Sequence, residues 1–380
     1  METEKLIQAI NLAMDGDDEA VKSIVLPIIR VENELDVFEA PFLRYPSGSG
    51  SRVSSLSLAH WLVDRAREVG SENAVGEMRK FLTAQDVPML QITPLAGIKL
   101  SSPVTLDEEM ALVPFDQIPQ SSSRTFFLSK YVKQMPYREP SAALVRFSFV
   151  PKAHYFQQGA TPPPIARDLD TPERMQRTSL LLALILRSPV ENVASWSQTA
   201  SWIPLTNAGA HLLGTAQARL IVEKTLTARA GGYLRILYSA YWGMKKDDRT
   251  SLAISLDRLN RAMSSWNFVD SAIDLGICLE SFFMADRESS NQEISFTLKV
   301  RAARLLATSF TRRTEIAALV QDLYKLRSEA VHKGRFATST AKKMLPETRL
   351  REGQKLIARA LRNTIRNGRL PDWQGVIFRS

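Results

Sequence analysis

Near the end of one amphipathic stretch, the sequence LRSEAVHKG (326–334) places Arg327, Ser328 and His332 within a few positions of one another. An arginine keeps its charge and can hold phosphate oxygens, and an imidazole is the side chain that exchanges protons near neutral pH. Together they suit a reaction in which a hydroxyl attacks phosphorus: a base takes the proton and a fixed cation stabilises the pentacoordinate phosphorane. Ser328 can position a phosphate oxygen or the imidazole. No set of carboxylates with divalent-metal spacing stands beside the three, so neither a metal nor a cofactor is expected. The same residues also have a plain reading, because a histidine and Lys333 ahead of Gly334 suit the negative end of a helix that stops in the usual way.

The helix that carries Arg327 determines what the residue can meet. Ile316, Val320, Leu323 and Ala330 form an apolar stripe, and Arg327 fills the i+11 place along it. A guanidinium there is costly unless it meets a carboxylate or a wet interface. The stretch FVDSAIDLGICLESFFM (268–284) supplies a matching anomaly, Glu280, in a helix that is apolar on nearly every side and so is expected to be surrounded by other helices. An Arg–Glu pair that only ties two helices together remains the alternative to a reactive arginine. Further stripes at Leu252, Leu256, Leu259 and Met263, and at Ile294, Leu298, Ala302 and Leu305, complete a set of four to five helices joined by short loops.

Charge separates the two halves of the chain. Of the formal net +9, residues 211–380 hold 29 Lys and Arg against 16 Asp and Glu, which leaves residues 1–210 slightly acidic. A localised basic surface favours a phosphate-bearing partner. Arg351, Lys355, Arg359, Arg362 and Arg366 follow one another along one side of the last long helix, with Leu350, Ile357 and Leu361 free to face the bundle. The stripe reads either as a track for an RNA backbone or as a solvated helix face. Trp373 and Phe378 beyond it serve either for base stacking or for docking the tail.

The N-terminal half reads as mixed α and β. EKLIQAINLAM (4–14) and SLAHWLVDRAREVG (57–70) have helical spacing, the second ending at Gly70, and MLQITPLAGIKL, RTFFLSKYV and AALVRFSFV are the expected strands. Pro162, Pro163 and Pro164 mark a boundary, followed by a helix with Thr171 as N-cap and Pro172 in its first turn. The expected organisation is an α+β domain over 1–160, a linker and connecting helix over 161–214, and an all-α up-and-down bundle over 215–380. One cysteine, Cys278, allows no internal disulfide and suits a reducing compartment. The start METEKLIQAINLAM lacks the basic end of a signal peptide, and the longest apolar run, LLLALIL, is far shorter than the ~20 residues that cross a bilayer. The expectation is a cytoplasmic chain with no membrane partner.

VDSAIDLGICLESFF (269–283), EISFTLKVRAARLL (293–306), DLYKLRSEAVHKG (322–334) and the basic final helix together resemble the HEPN superfamily, particularly its ApeA-like branch, over Thr250 to Asn367. The family signature is an arginine, a polar residue, a few arbitrary residues and a histidine near the end of a helix. Arg327, Ser328 and His332 take those places, with Ser328 where many members carry asparagine or aspartate. The resemblance implies a metal-independent ribonuclease, a toxin or anti-phage effector, in which two protomers bring their motifs into one cleft. It further implies RNA as substrate, a homodimer formed through the C-terminal domain, and a regulatory protein or phage trigger. A non-catalytic HEPN scaffold or RNA-holding module is the competing reading.

Overall fold

The computed structural model describes residues 3–31, 42–44, 50–52, 54–134, 140–151, 170–204, 211–212, 223–286, 294–337 and 345–378. The first half holds α1 (Thr3–Ala13), α2 (Asp18–Ala20), α3 (Leu26–Val31), α4 (Ser55–Val69) and α5 (Ser71–Thr83), with a short hairpin of β1 (Phe42–Arg44) and β2 (Gly50–Arg52). Gly70, at φ 87°, separates α4 from α5 in the left-handed region that glycine tolerates. Leu6, Ile10, Leu58, Leu62 and Met78 close a small core against Val87 and Met89 of β3 (Asp86–Ala96).

A largely antiparallel sheet lies at the centre of the fold. After β3 come β4 (Ile98–Leu100), β5 (Val104–Thr105), β6 (Met110–Pro114), α6 (Ser122–Gln134), β7 (Ala142–Pro151), α7 (Asp170–Leu186), β8 (Glu191–Asn192), β9 (Ala194–Thr199), β10 (His211–Leu212) and β11 (Lys224–Leu226). Among the described residues seven strands share the main sheet, in the order β10-β9-β3-β7-β6-β5 with β8 beside β3, while β11 pairs in parallel with β4. Side chains alternate between faces along each strand, so neighbours in sequence enter different cores. Ile92, Ala143, Phe127 and Trp196 pack on the α6 side, whereas Leu95, Leu112, Ala142 and Leu144 join the core of the helical half.

Two expectations change here. RTFFLSKYV is not a strand but the middle of α6, because Ser123, Arg124 and Phe127 are buried at one-turn spacing and Ser121 caps the helix by accepting from the Arg124 amide at 3.1 Å. The stretch 161–214 is also more than a linker: β9 lies against the middle of β3, from Met89↔Thr199 to Ile92↔Trp196, and α7 packs against the helices that follow. The proline run at 162–164 lies outside the described residues. Helix α7 begins at Asp170, so Thr171 falls inside it, and β11 precedes the unbroken helical region.

That region is all-helical, as expected: α8 (Ala228–Gly243), α9 (Lys246–Ser264), α10 (Phe268–Phe283), α11 (Ile294–Leu306), α12 (Phe310–Lys333), α13 (Pro346–Arg366) and α14 (Trp373–Phe378). Helix α10 is surrounded by α9, α11, α12 and α13. Cys278 on it is fully buried, its thiol donates to the Ser255 carbonyl at 3.1 Å, and burial raises its pKa, so it is an inert core residue. No helix among the described residues is long and apolar enough to cross a membrane.

Trp373 of α14 is a docking residue. It packs edge-on to Phe282 and tilted over Phe283, with the Arg301 guanidinium 5.0 Å from its ring. Arg301 in turn donates to the Phe283 carbonyl at 2.6 Å and grips Asp286 with two nitrogens at 2.5 and 3.1 Å. Replacing Trp373 by alanine removes the shared partner of both elements, and a loss of about 3–5 kcal/mol is expected in urea unfolding. A loss below about 1 kcal/mol, the size of an ordinary surface substitution, would show that α14 is not bound by this contact.

Candidate functional site

The site is built on the contact between α10 and α12. Helix α12 begins at Ser309, whose hydroxyl accepts from the Arg312 amide at 3.4 Å, and ends at Gly334, at φ 62°, whose amide donates to Ala330 at 3.1 Å. Ile316, Val320, Leu323, Leu326 and Ala330 are buried along it. Arg327 lies among them with its side chain 26% exposed.

Arg327 fits because α10 has a glycine opposite. A Cβ on Gly276 would come within 2.9 Å of Arg327 Cβ and nearer still to its Cγ, so the absent side chain is the space that the arginine stem fills. One turn further along α10, Glu280 meets the head group: Arg327 Nη2 donates to Oε2 at 3.4 Å, and the guanidinium stands 5.9 Å from the Tyr324 ring. Elsewhere the chain builds tighter ties. Arg65 holds Glu77 through two bonds at 2.6 and 2.9 Å, and Arg301 holds Asp286 in the same two-pronged way. Against Glu280 there is one long contact, with buried Arg327 Nε and Glu280 Oε1 both lacking a partner among the described residues. Among the described residues the Nε of Arg301 lacks a partner as well, so it is the single long bond and the unmet Glu280 Oε1 that set this pair apart.

The other two motif residues occupy the surface next to Arg327. At about 100° per residue, Ser328 and His332 fall about 100° and 140° around α12 from Arg327, so all three share one broad side of the helix, Arg327 at its inner edge and His332 at its outer edge. Ser328 is half-buried and His332 exposed, and neither has a hydrogen-bond partner among the described residues. The geometry therefore joins Arg327 to Glu280 but does not join Arg327 to His332 within one chain. Two residues not foreseen from sequence complete the surroundings. Tyr324 lies beside the guanidinium, and buried Glu329 accepts from the Ala337 amide at 2.9 Å, holding the chain that leaves α12. An acid near the negative end of a helix needs such a partner, and that was the available signal.

The basic stripe on α13 divides in two. Arg351, paired with Glu347 at 2.6 Å, Lys355 and Arg366 are exposed. Arg359 donates to the Leu306 carbonyl at 2.7 Å and Arg362 to the Leu184 carbonyl at 3.5 Å, capping the ends of α11 and α7, and burial lowers the pKa of Arg362. Leu350, Ile357 and Leu361 face inward as expected, and Gly353 lets α13 close on Leu323 and Leu275. Phe378 is 83% exposed. Among the described residues, no group of three or more His, Cys, Asp or Glu side chains is placed to hold a metal ion. Compared with family models, curated proteins and solved structures, the chain matches none.

Burial holds the Glu280 carboxyl above its ordinary 4.5, with Arg327 only partly opposing the shift. The folded state then binds this proton more readily than the unfolded chain, so the stability due to Glu280 is full below the ordinary value and falls as the pH rises through the window above it. Wild type should therefore lose stability relative to Glu280→Gln as the pH rises above the ordinary 4.5, read from denaturant midpoints. Parallel curves for the two proteins would mean that the carboxylate is buried without cost.

Proposed function

We propose that the chain is a metal-independent endoribonuclease of the HEPN type that acts as a toxin or anti-phage effector. The observation that carries this reading is Arg327: a guanidinium fitted into an apolar helix contact by Gly276, yet partly exposed and tied to Glu280 by only one long bond. Such a group is held in place and retains donors for a phosphate oxygen. Its neighbours supply the remaining chemistry. His332 is exposed to substrate and takes the 2′-hydroxyl proton as that oxygen attacks phosphorus. Arg327 stabilises the charge of the phosphorane, and the bond to the 5′-oxygen breaks as that oxygen takes a proton from water.

Within one chain Arg327 and His332 stand at opposite edges of their helix side, which favours a homodimer that brings two copies into one cleft. The net positive C-terminal half draws the RNA in, and the N-terminal α/β region senses the trigger or restrains the nuclease. A HEPN module that holds RNA without cutting it is the second reading, favoured by the part Arg327 plays in tying α12 to α10.

The products distinguish the two. Cleavage by the neighbouring hydroxyl leaves 2′,3′-cyclic phosphate and 5′-hydroxyl ends, proceeds in EDTA and spares DNA of the same sequence, which lacks the nucleophile. End-labelling of the fragments checks this expectation. Products with 5′-phosphates that form only with added magnesium would replace it with a metal-dependent nuclease, and RNA bound but uncut would leave the scaffold.

A further inference from the structure

Away from the Arg327 motif, four arginines from three helices converge on the turn between α11 and α12. Leu306 ends α11 and Ala307 follows it, and their carbonyls are taken by Arg359 of α13 at 2.7 Å and by Arg313 of α12 at 2.9 Å. A carbonyl carries no formal charge, so both guanidiniums keep theirs, and each retains further N–H donors beyond the one it uses. Arg304, half-buried, has no hydrogen-bond or ion-pair partner among the described residues. Arg312 pairs with Glu315 at 2.5 Å, with the two side chains 57% and 55% exposed, an arrangement that water and salt weaken and a ligand can displace.

Two of these arginines, Arg304 and Arg312, border a hollow. A cavity of about 350 Å³ opens between Arg304 and Arg312, floored by Leu305, Leu306 and Ala307 and bordered by Ser309. Next to Ser309 stands Phe310, 84% exposed, an aromatic ring in water at the start of a helix. Cations with donors to spare, a hollow of mixed polar and apolar lining and an open ring are features by which proteins hold single strands: phosphates against the arginines and a base against the aromatic. A free anion would use the charges and leave the ring unexplained.

We infer that the α11–α12 corner is a docking site for single-stranded RNA, with phosphates on Arg304 and Arg312 and a base stacked on Phe310. The inference rests on the ribonuclease reading for the identity of the strand, and it adds a second point of attachment. Phe310 and Arg327 lie about 25 Å apart along the axis of α12. A strand held at the corner is therefore registered against the motif by one rigid rod.

The test uses the full-length chain carrying His332→Ala, so that the probe is not cut, with a fluorescent single-stranded RNA titrated over a range of salt. Adding Arg304→Ala and Arg312→Ala should weaken binding and lower the slope of log K against log salt by about 1.4, two contacts on a single strand. Adding Phe310→Ala instead should weaken binding roughly tenfold with the slope unchanged. Phe310 and Arg312 are exposed and Arg304 makes no hydrogen bond among the described residues, so equal thermal melts are expected and confirm intact folding. If the parent protein binds RNA and the double arginine variant keeps both its affinity and its slope, the docking site is overturned while the ribonuclease reading stands. If the parent protein binds no RNA even at low salt, both fall.

Discussion

A guanidinium laid along an apolar helix stripe imposes conditions on everything that packs against it. The stem of Arg327 needs space, which Gly276 provides by lacking a side chain in the middle of α10. Its charge needs a carboxylate, which Glu280 provides one turn along the same helix. A glycine inside a helix costs about 1 kcal/mol relative to alanine, and burial raises the pKa of Glu280, so both partners are held against their own preferences. The surrounding core offsets those costs: Leu275, Leu279 and Phe282 of α10, Leu323 of α12 and Leu361 of α13 are all buried in one cluster, and Gly353 lets α13 close on it. The position of the motif thus follows from three helices that pack closely only because two of them carry glycine at the contact.

The site is also connected to the sheet. Leu95, Leu112 and Leu144 belong to the same core as the helices around Arg327. A polar network reinforces the connection. Tyr238 of α8 donates to Asp107 at 2.7 Å, Arg174 of α7 lies 3.6 Å from Asp107 and 3.7 Å from Glu109, and Arg146 of β7 holds Glu109 at 2.9 Å. Burial raises the pKa of Tyr238, which keeps it as a donor. A displacement of the β5–β6 turn therefore reaches α7 and α8 through groups that are costly to unpair. Such a linkage is what a sensing N-terminal half requires if it is to act on the helices.

Much of the helical half was legible in the sequence because helical periodicity survives burial. An all-round apolar α10 and a one-sided α12 interrupted by Arg327 could each be read from spacing, and Glu280 could be matched to Arg327 as the carboxylate a buried arginine needs. The sheet was less legible. RTFFLSKYV combines two aromatics with a valine, which suggests a strand, yet its one-turn burial places it in α6, where Phe127 packs between Phe115 and Trp196. Strand β9 was hidden because ASWSQT is short and polar, and only its partner β3 makes it a strand. Spacing also placed the α13 arginines on one side without showing that Arg359 and Arg362 reach back to cap other helices. Those contacts depend on helix ends more than 50 residues away in sequence, the nearer one at |i−j| = 53.

In the proposed ribonuclease site of His332 and Arg327, His332 is the residue whose removal disturbs least, because it is exposed and has no hydrogen-bond partner among the described residues. The most direct measurement is the single-turnover rate of RNA cleavage by the full-length protein in EDTA, wild type against His332→Ala, with matching circular dichroism and melting curves. Loss of a general acid–base group predicts a fall of about 10²–10⁴-fold at unchanged stability. Cleavage by a normally folded His332→Ala protein at the wild-type rate would contradict the account.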